Sequence, residues 1–258
     1  VEIKEIIAPK FDINDLAFRD ECKSTLDRDG VVVLTGFIER SVIEMMKAEG
    51  NARIDDAYFC SNNHNVYLTP SDENFPMDHP RNREVVSSKG LIGDDQVPEN
   101  SPLKILYRDD VFQSFIAEVV GEEALYPYAD PLSAVNIHYA KTGQELGWHF
   151  DNSSFAITLL IDKPKGGGEF EYLKDVRDAD AGEYNFDTVG KLLDGEIEPD
   201  RISMNPGTLV FFRGRNSIHR VTPTEGDKTR MLAVLAYNSE PGVELSESAR
   251  MTFYGRLS

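Results

Sequence analysis

Cysteine is nearly missing from this chain. Only Cys22 and Cys60 occur, too few for a disulfide framework, so stability must come from apolar packing and both thiols read as reduced. Basic residues are also scarce, 27 lysines and arginines against 45 acids, for a formal net charge of −18. That balance excludes the positive footprint of a nucleic-acid binder. No run of about eighteen apolar residues exists to span a bilayer, and the first residues lack the basic-then-apolar plan of a secretory signal. The expectation is a cytoplasmic protein with no membrane or nucleic-acid partner; nothing in the sequence speaks to its oligomeric state. Tryptophan occurs once, as Trp148, and histidine five times, as His64, His79, His138, His149 and His219. With so few histidines, a ligand set built from them is not readily a coincidence.

One such set is present. In the run WHFD, His149 and Asp151 are two residues apart, a spacing that turns both side chains to one side of an extended segment. His219, in GRNSIHR, is the third candidate ligand. Two imidazoles and one carboxylate on one face of iron(II) leave three positions open, enough for a chelating 2-oxo acid and dioxygen. Taken alone, His-x-Asp is a weak signal, and a lone strand histidine is more often a satisfied core residue. The segment PGTLVFFRGRNSIHRVTPTEGDKTRMLAVLAY strengthens it. It reads as strand, ligand, hairpin, strand, and a hairpin through Pro223 to Lys228 folds Arg230 back beside His219. A guanidinium there can clamp a distal carboxylate through two parallel hydrogen bonds. The pattern therefore points to iron(II), 2-oxoglutarate and dioxygen, with His149, Asp151 and His219 as catalytic metal ligands and Arg230 as a co-substrate contact.

Longer stretches carry a resemblance. NVYLTP, DHPR, WHFDNS, GGEFEY, NFDTVGKLLDG, FFRGRNSIHRVTP and the terminal FYGR are similar to the iron/2-oxoglutarate dioxygenase superfamily. The likeness is greatest to its branch of free-amino-acid hydroxylases and radical halogenases, lysine halogenases among them, with a related aziridine-forming enzyme. The resemblance implies an α+β, mainly β fold: a double-stranded β-helix of jelly-roll, cupin-like form, with amino-terminal helices packed on one sheet. It implies oxidation of an unactivated C–H bond of a free amino acid or similar small amine, with succinate and carbon dioxide as co-products. The halogenases of this branch carry glycine where Asp151 stands, which opens a site for chloride, so hydroxylation is favoured; oxidative cyclisation and desaturation are alternatives, and halogenation is less favoured. In the lysine-acting halogenases the position of Asn152 holds an acidic side chain, so the amide here points away from lysine and toward a neutral or branched substrate.

The rest of the chain reads as support. At 258 residues it can form one domain: about 1–130 as helices and a substrate loop, about 131–258 as the β-helix core with an inserted lid near 173–204. INDLAFRDECKSTLDRDG is an amphipathic helix closed by Gly30, VVVLTGF is a strand, and SVIEMMKAEG starts a second helix. YRDDVFQSFIAEVVGEE is read as a further single helix ending near Gly121. Residues 62–102, rich in Asn, Asp, Pro and Ser, read as loop. Within it, Arg81 is assigned to a substrate carboxylate, with Arg83 as second choice. On the strand PLSAVNIHYAKTG, Asn136 and His138 share one face and Val135, Ile137 and Tyr139 the other; Tyr139 is taken as a keto-acid contact, as in related dioxygenases, with His138 as the alternative. Glu169 or Glu171 are candidates to meet a substrate amine. Two rival classes are a non-catalytic module that binds a metal or small acid and a two-histidine, one-aspartate zinc hydrolase; no HExxH segment supports the latter.

Overall fold

A computed structural model describes residues 2–258. In the first half, apolar residues recur at helical steps. Helix α1 covers Ile3–Ile6. Helix α2, Leu16–Asp29, opens on Asp15, whose side chain accepts from the Ala17 amide, and closes on Gly30 at φ 74°. Helices α3 (Arg40–Arg53), α4 (Pro102–Arg108) and α5 (Asp110–Val120) follow, with α6 (Phe186–Leu193) and α7 (Glu247–Tyr254) near the end. The stretch expected as one helix from Tyr107 is divided at Asp109. Its extended backbone stops α4, while its carboxylate accepts from the Phe112 amide and starts α5.

The strands are β1 (Val31–Leu34), β2 (Tyr58–Asn65), β3 (Glu84–Ile92), β4 (Tyr126–Pro127), β5 (Val135–Ala140), β6 (Leu146–His149), β7 (Ala156–Asp162) and β8 (Gly166–Gly167). They continue with β9 (Phe170–Leu173), β10 (Asp200–Ile202), β11 (Leu209–Phe212), β12 (Ile218–Val221), β13 (Thr224–Glu225), β14 (Arg230–Leu235) and β15 (Tyr237–Asn238). One curled sheet runs in the order β1-β11-β7-β14-β5-β3-β6-β12-β9-β10, with β2 on β3. Every pairing is antiparallel, as a double-stranded β-helix requires. β3 is the hinge of the arrangement, since it pairs with β5 and with β6. Residues 62–102, expected as loop, thus contain most of a β-hairpin. The Asn- and Ser-rich wording has low strand propensity, and it is the pairing with β5 and β6 that overrides it.

Strand alternation separates two apolar layers. Val135, Ile137, Tyr139, Leu159, Phe211 and Ala233 turn outward into a core shared with α2 to α5. Leu160, Val210, Phe212 and Leu232 turn to the opposite face. A further cluster joins Tyr67, Trp148 and Phe150 to Val176, Val189 and Leu192. The 173–204 insertion, expected as a lid, is therefore anchored by three buried side chains. Among the described residues no helix is long and apolar enough to cross a membrane.

Phe115 ties the helices to the sheet. It is fully buried, stacks on Phe18 and Phe37 with centroids 5.7 and 6.4 Å away, and meets Phe211 edge-on at 5.6 Å. Phe115→Ala leaves a cavity at this junction and is expected to cost about 3–5 kcal/mol in denaturant-induced unfolding; a loss below about 1 kcal/mol would show that the junction is not rigidly packed.

Candidate metal centre

β6 and β12 are neighbours, and their register sets His219 opposite His149. The imidazole centroids lie 4.2 Å apart. Each Nδ1 sits beside the carbonyl two residues earlier, 2.8 Å from Gly147 O and 3.0 Å from Ser217 O. A carbonyl can only accept, so Nδ1 carries the proton in both rings and each Nε2 is left as a metal donor. Beyond β6, Phe150 turns into the cluster of Tyr67 and Trp148 and Asp151 returns to the histidines. Its Oδ1 is 3.7 Å from His149 Nε2 and 3.5 Å from His219 Nε2. All three donor atoms fall within 4.8 Å of one another.

Gly214 makes this convergence possible. Its carbonyl accepts from the Asp151 amide at 3.0 Å, and a Cβ built on it would lie 1.9 Å from Asp151 Oδ2 and 2.9 Å from His219 Cε1. Only glycine leaves room for the carboxylate. Two observations then bear on whether a cation fits. Asp151 Oδ2 is buried with no hydrogen-bond partner, a costly state for a carboxylate oxygen unless a cation meets it. Burial, aided by His219, holds the His149 pKa down to about 3, so its imidazole is neutral. Burial would raise Asp151, but His219, His149 and Lys89 outweigh it and keep it at about 2. A carboxylate and nitrogen donors on one side suit divalent iron; the residues fit the group.

The triad opens on a cavity of about 300 Å³, lined among others by Arg230, His138, Lys89, Phe170 and Phe212. Arg230, at the start of β14, is 5% exposed, and its guanidinium forms no hydrogen bond or ion pair among the described residues. Gly168, at φ +64°, gives it space: a Cβ there would sit 2.9 Å from Arg230 Cδ. Burial lowers its pKa to about 10, opposed by Glu169, so the charge persists at neutral pH and awaits an anion.

Other candidates fall elsewhere. Tyr139 does not reach the cavity: it is 0% exposed in the outer core and donates to Gly50 O at 2.8 Å. The alternation of β5 turns it to the helices and turns His138 inward, where Nε2 donates to Asn136 Oδ1 at 2.8 Å. Burial, then Lys89 and Arg230, push the His138 pKa well down. Arg81 is held in the β2–β3 loop by Pro70 O at 3.2 Å and is not among the cavity's lining residues. Arg83 is engaged by Asp194 and by Leu193 O. Asn152 is exposed, its carbonyl accepting from Arg215, and Glu171 is buried in ion pairs with Arg201 and Arg220. Lys89 is the inward residue that sequence reading missed. The alternation of SSKGL on β3 would have shown it, had the strand been recognised in a Ser- and Asn-rich stretch.

Residues 15–252 match the family model described as Halogenase D, and the chain belongs to that family. Among curated proteins no sequence match is found. Solved structures share the fold at low identity. A 2OG-Fe(II) oxygenase family oxidoreductase from Burkholderia pseudomallei is 14% identical, with 88% of this chain and 93% of that one covered and a TM-score of 0.55. A non-heme alpha ketoglutarate dependent carbocyclase from nogalamycin biosynthesis is 10% identical, with 93% and 92% covered and a TM-score of 0.59. A Pseudomonas putida prolyl-4-hydroxylase is 12% identical, with 84% and 96% covered and a TM-score of 0.52. Family, fold and His-Asp-His triad together define a non-haem enzyme of the iron(II), 2-oxoglutarate and dioxygen class.

Gly214→Ala should displace the Asp151 carboxylate while leaving the sheet intact. Calorimetric titration with Mn(II) as an air-stable stand-in for Fe(II) is expected to show affinity at least about 10-fold weaker than wild type; equal affinity would separate Gly214 and Asp151 from the metal centre.

Proposed function

We propose that this enzyme hydroxylates an unactivated C–H bond of a free amino acid or similar small amine, and that His149, Asp151 and His219 hold the iron. The observation that carries the reading is the Asp151 carboxylate, which stands between both Nε2 atoms with one oxygen unpartnered. A carboxylate that ligates from that place would leave no room there for a halide. Iron held there would supply, with 2-oxoglutarate and dioxygen, the oxidising power for C–H cleavage, with succinate and carbon dioxide as co-products. The chain's own residues prepare that chemistry. The Gly147 and Ser217 carbonyls fix both imidazoles by accepting from Nδ1. Arg230 takes the distal carboxylate of the keto acid, replacing a costly unpaired charge by a charge-assisted pair. Neutral His138, with Nε2 committed to Asn136, keeps Nδ1 as an acceptor at the cavity wall. Phe170 and Phe212 flank His219, with centroids 5.6 and 4.8 Å away, and keep water from its free edge.

A halogenase is the second reading, favoured by the name of the family model. Ring closure or desaturation is a further outcome of the same C–H cleavage. A screen of free amino acids with Fe(II), ascorbate, 2-oxoglutarate and chloride, read by mass spectrometry, distinguishes them. The expected product gains one oxygen. Loss of two hydrogens would replace hydroxylation by cyclisation or desaturation, and a chlorine isotope doublet would overturn the role given to Asp151.

Arg230→Met is expected to raise the 2-oxoglutarate KM on the order of 100-fold, the loss of two hydrogen bonds to a charged group. An unchanged KM in steady-state succinate release would remove Arg230 from the co-substrate site.

A further inference from the structure

β3 carries Lys89 into the metal cavity. Leu91 pairs with His138, so Lys89, two residues away, faces the same side as that inward histidine. It lines the cavity of the triad and also a second one of about 210 Å³, which shares Tyr128, His138 and Ala236 with the first and is bordered by Phe253 and Tyr254 of α7. Lys89 therefore stands where the two spaces meet. Its ammonium makes no ion pair or hydrogen bond among the described residues, and the Phe253 ring, 5.3 Å from Nζ to centroid, is its one cation–π partner.

Charge decides what this ammonium is for. Iron(II), Asp151 and Arg230 together bear two net positive charges, which the two carboxylates of the keto acid neutralise. Lys89 is then the one cation of the lining left without an anion, in a setting where an unpaired charge is costly. Burial lowers its pKa to about 8, against Cys60 and Asp151, so it remains largely charged at neutral pH. The walls state the complement. Asp151 is the one acid lining either cavity, so a basic side chain would find no free partner there. Apolar side chains also line both spaces, among them Phe155 and Val234 in the first and Leu245 in the second.

We propose that Lys89 binds the carboxylate of the substrate, and that the substrate is a small carboxylic acid with an uncharged, apolar side chain. This rests on the oxygenase reading above and replaces Arg81 in the role expected for it. An α-amine on the substrate finds no free anion in the lining either, so the carboxylate is the group the site is built to neutralise.

The test is anaerobic calorimetry on protein loaded with Fe(II) and 2-oxoglutarate, with L-valine, L-leucine, L-isoleucine, their primary amides and L-lysine as probes. At least one apolar acid should bind, with its amide and L-lysine at least about 10-fold weaker. Lys89→Met should weaken that acid at least about 10-fold and erase the acid-over-amide preference, while Lys89→Arg keeps most of it. The affinity of both variants for 2-oxoglutarate should match wild type, which also reports an intact fold. Preserved preference in Lys89→Met, loss of 2-oxoglutarate affinity in that variant, tighter binding of L-lysine, or no binding by any apolar acid would each overturn the proposal. Succinate release by the wild type, assayed in parallel, keeps the two readings apart: its absence sinks the oxygenase reading, whereas its presence with an indifferent Lys89→Met sinks the Lys89 assignment alone.

Discussion

The register of β6 against β12 is the constraint on which the site depends. It sets His149 opposite His219, and because side chains alternate along a strand, a slip of one residue would turn one imidazole away from the other. Backbone carbonyls two residues before each histidine orient the rings through Nδ1, so the pleat that aligns the ligands also fixes their tautomers. Gly214, in the turn before β12, then admits the Asp151 carboxylate to a space that any side chain would fill.

The apolar layers keep this geometry still. Phe150, between the two ligands of β6 and its continuation, is fully buried against Tyr67 at 5.5 Å, with the Arg177 guanidinium 4.1 Å from its ring. Its burial on one side holds Asp151 on the other. The outer core under α2 to α5 backs β5, β7, β11 and β14, whose opposite faces line the cavity. Inside, the charges are disposed for anions: Arg230 lies beyond the triad on β14 and Lys89 approaches from β3, with a neutral histidine between strands. A dianionic co-substrate and the proposed carboxylate substrate would complete what the protein leaves uncompensated.

Much of this was legible in the sequence. Spacing pairs His149 with Asp151 by two-residue alternation and His219 with Arg230 by a short hairpin; joining the two pairs took the chemistry of the ligand set and the resemblance, and in the fold it is the β6–β12 register that does it. The amphipathic helix ended by Gly30 and the inward and outward faces of β5 follow from periodicity. Tyr139 fails as a keto-acid contact for the same reason: its face was readable, and analogy with related enzymes pointed against it. Other features are tertiary. β2 is rich in Asn and β3 carries paired serines in a polar, turn-rich stretch, so both read as loop and become strands by pairing, which hid Lys89; the break at Asp109 depends on one carboxylate capping α5. Arg81 lies in a motif shared with the resembling branch, yet its contact with Pro70 is a matter of loop folding that no spacing reveals.

A triad that holds one iron with positions open for a keto acid has a visible signature. Anaerobic addition of 2-oxoglutarate to Fe(II)-loaded protein should give the charge-transfer absorption of a chelated keto acid, a saturable band at one iron per chain that is absent from His219→Ala. No band in the wild type, or an undiminished band in that variant, would remove the triad as the iron site.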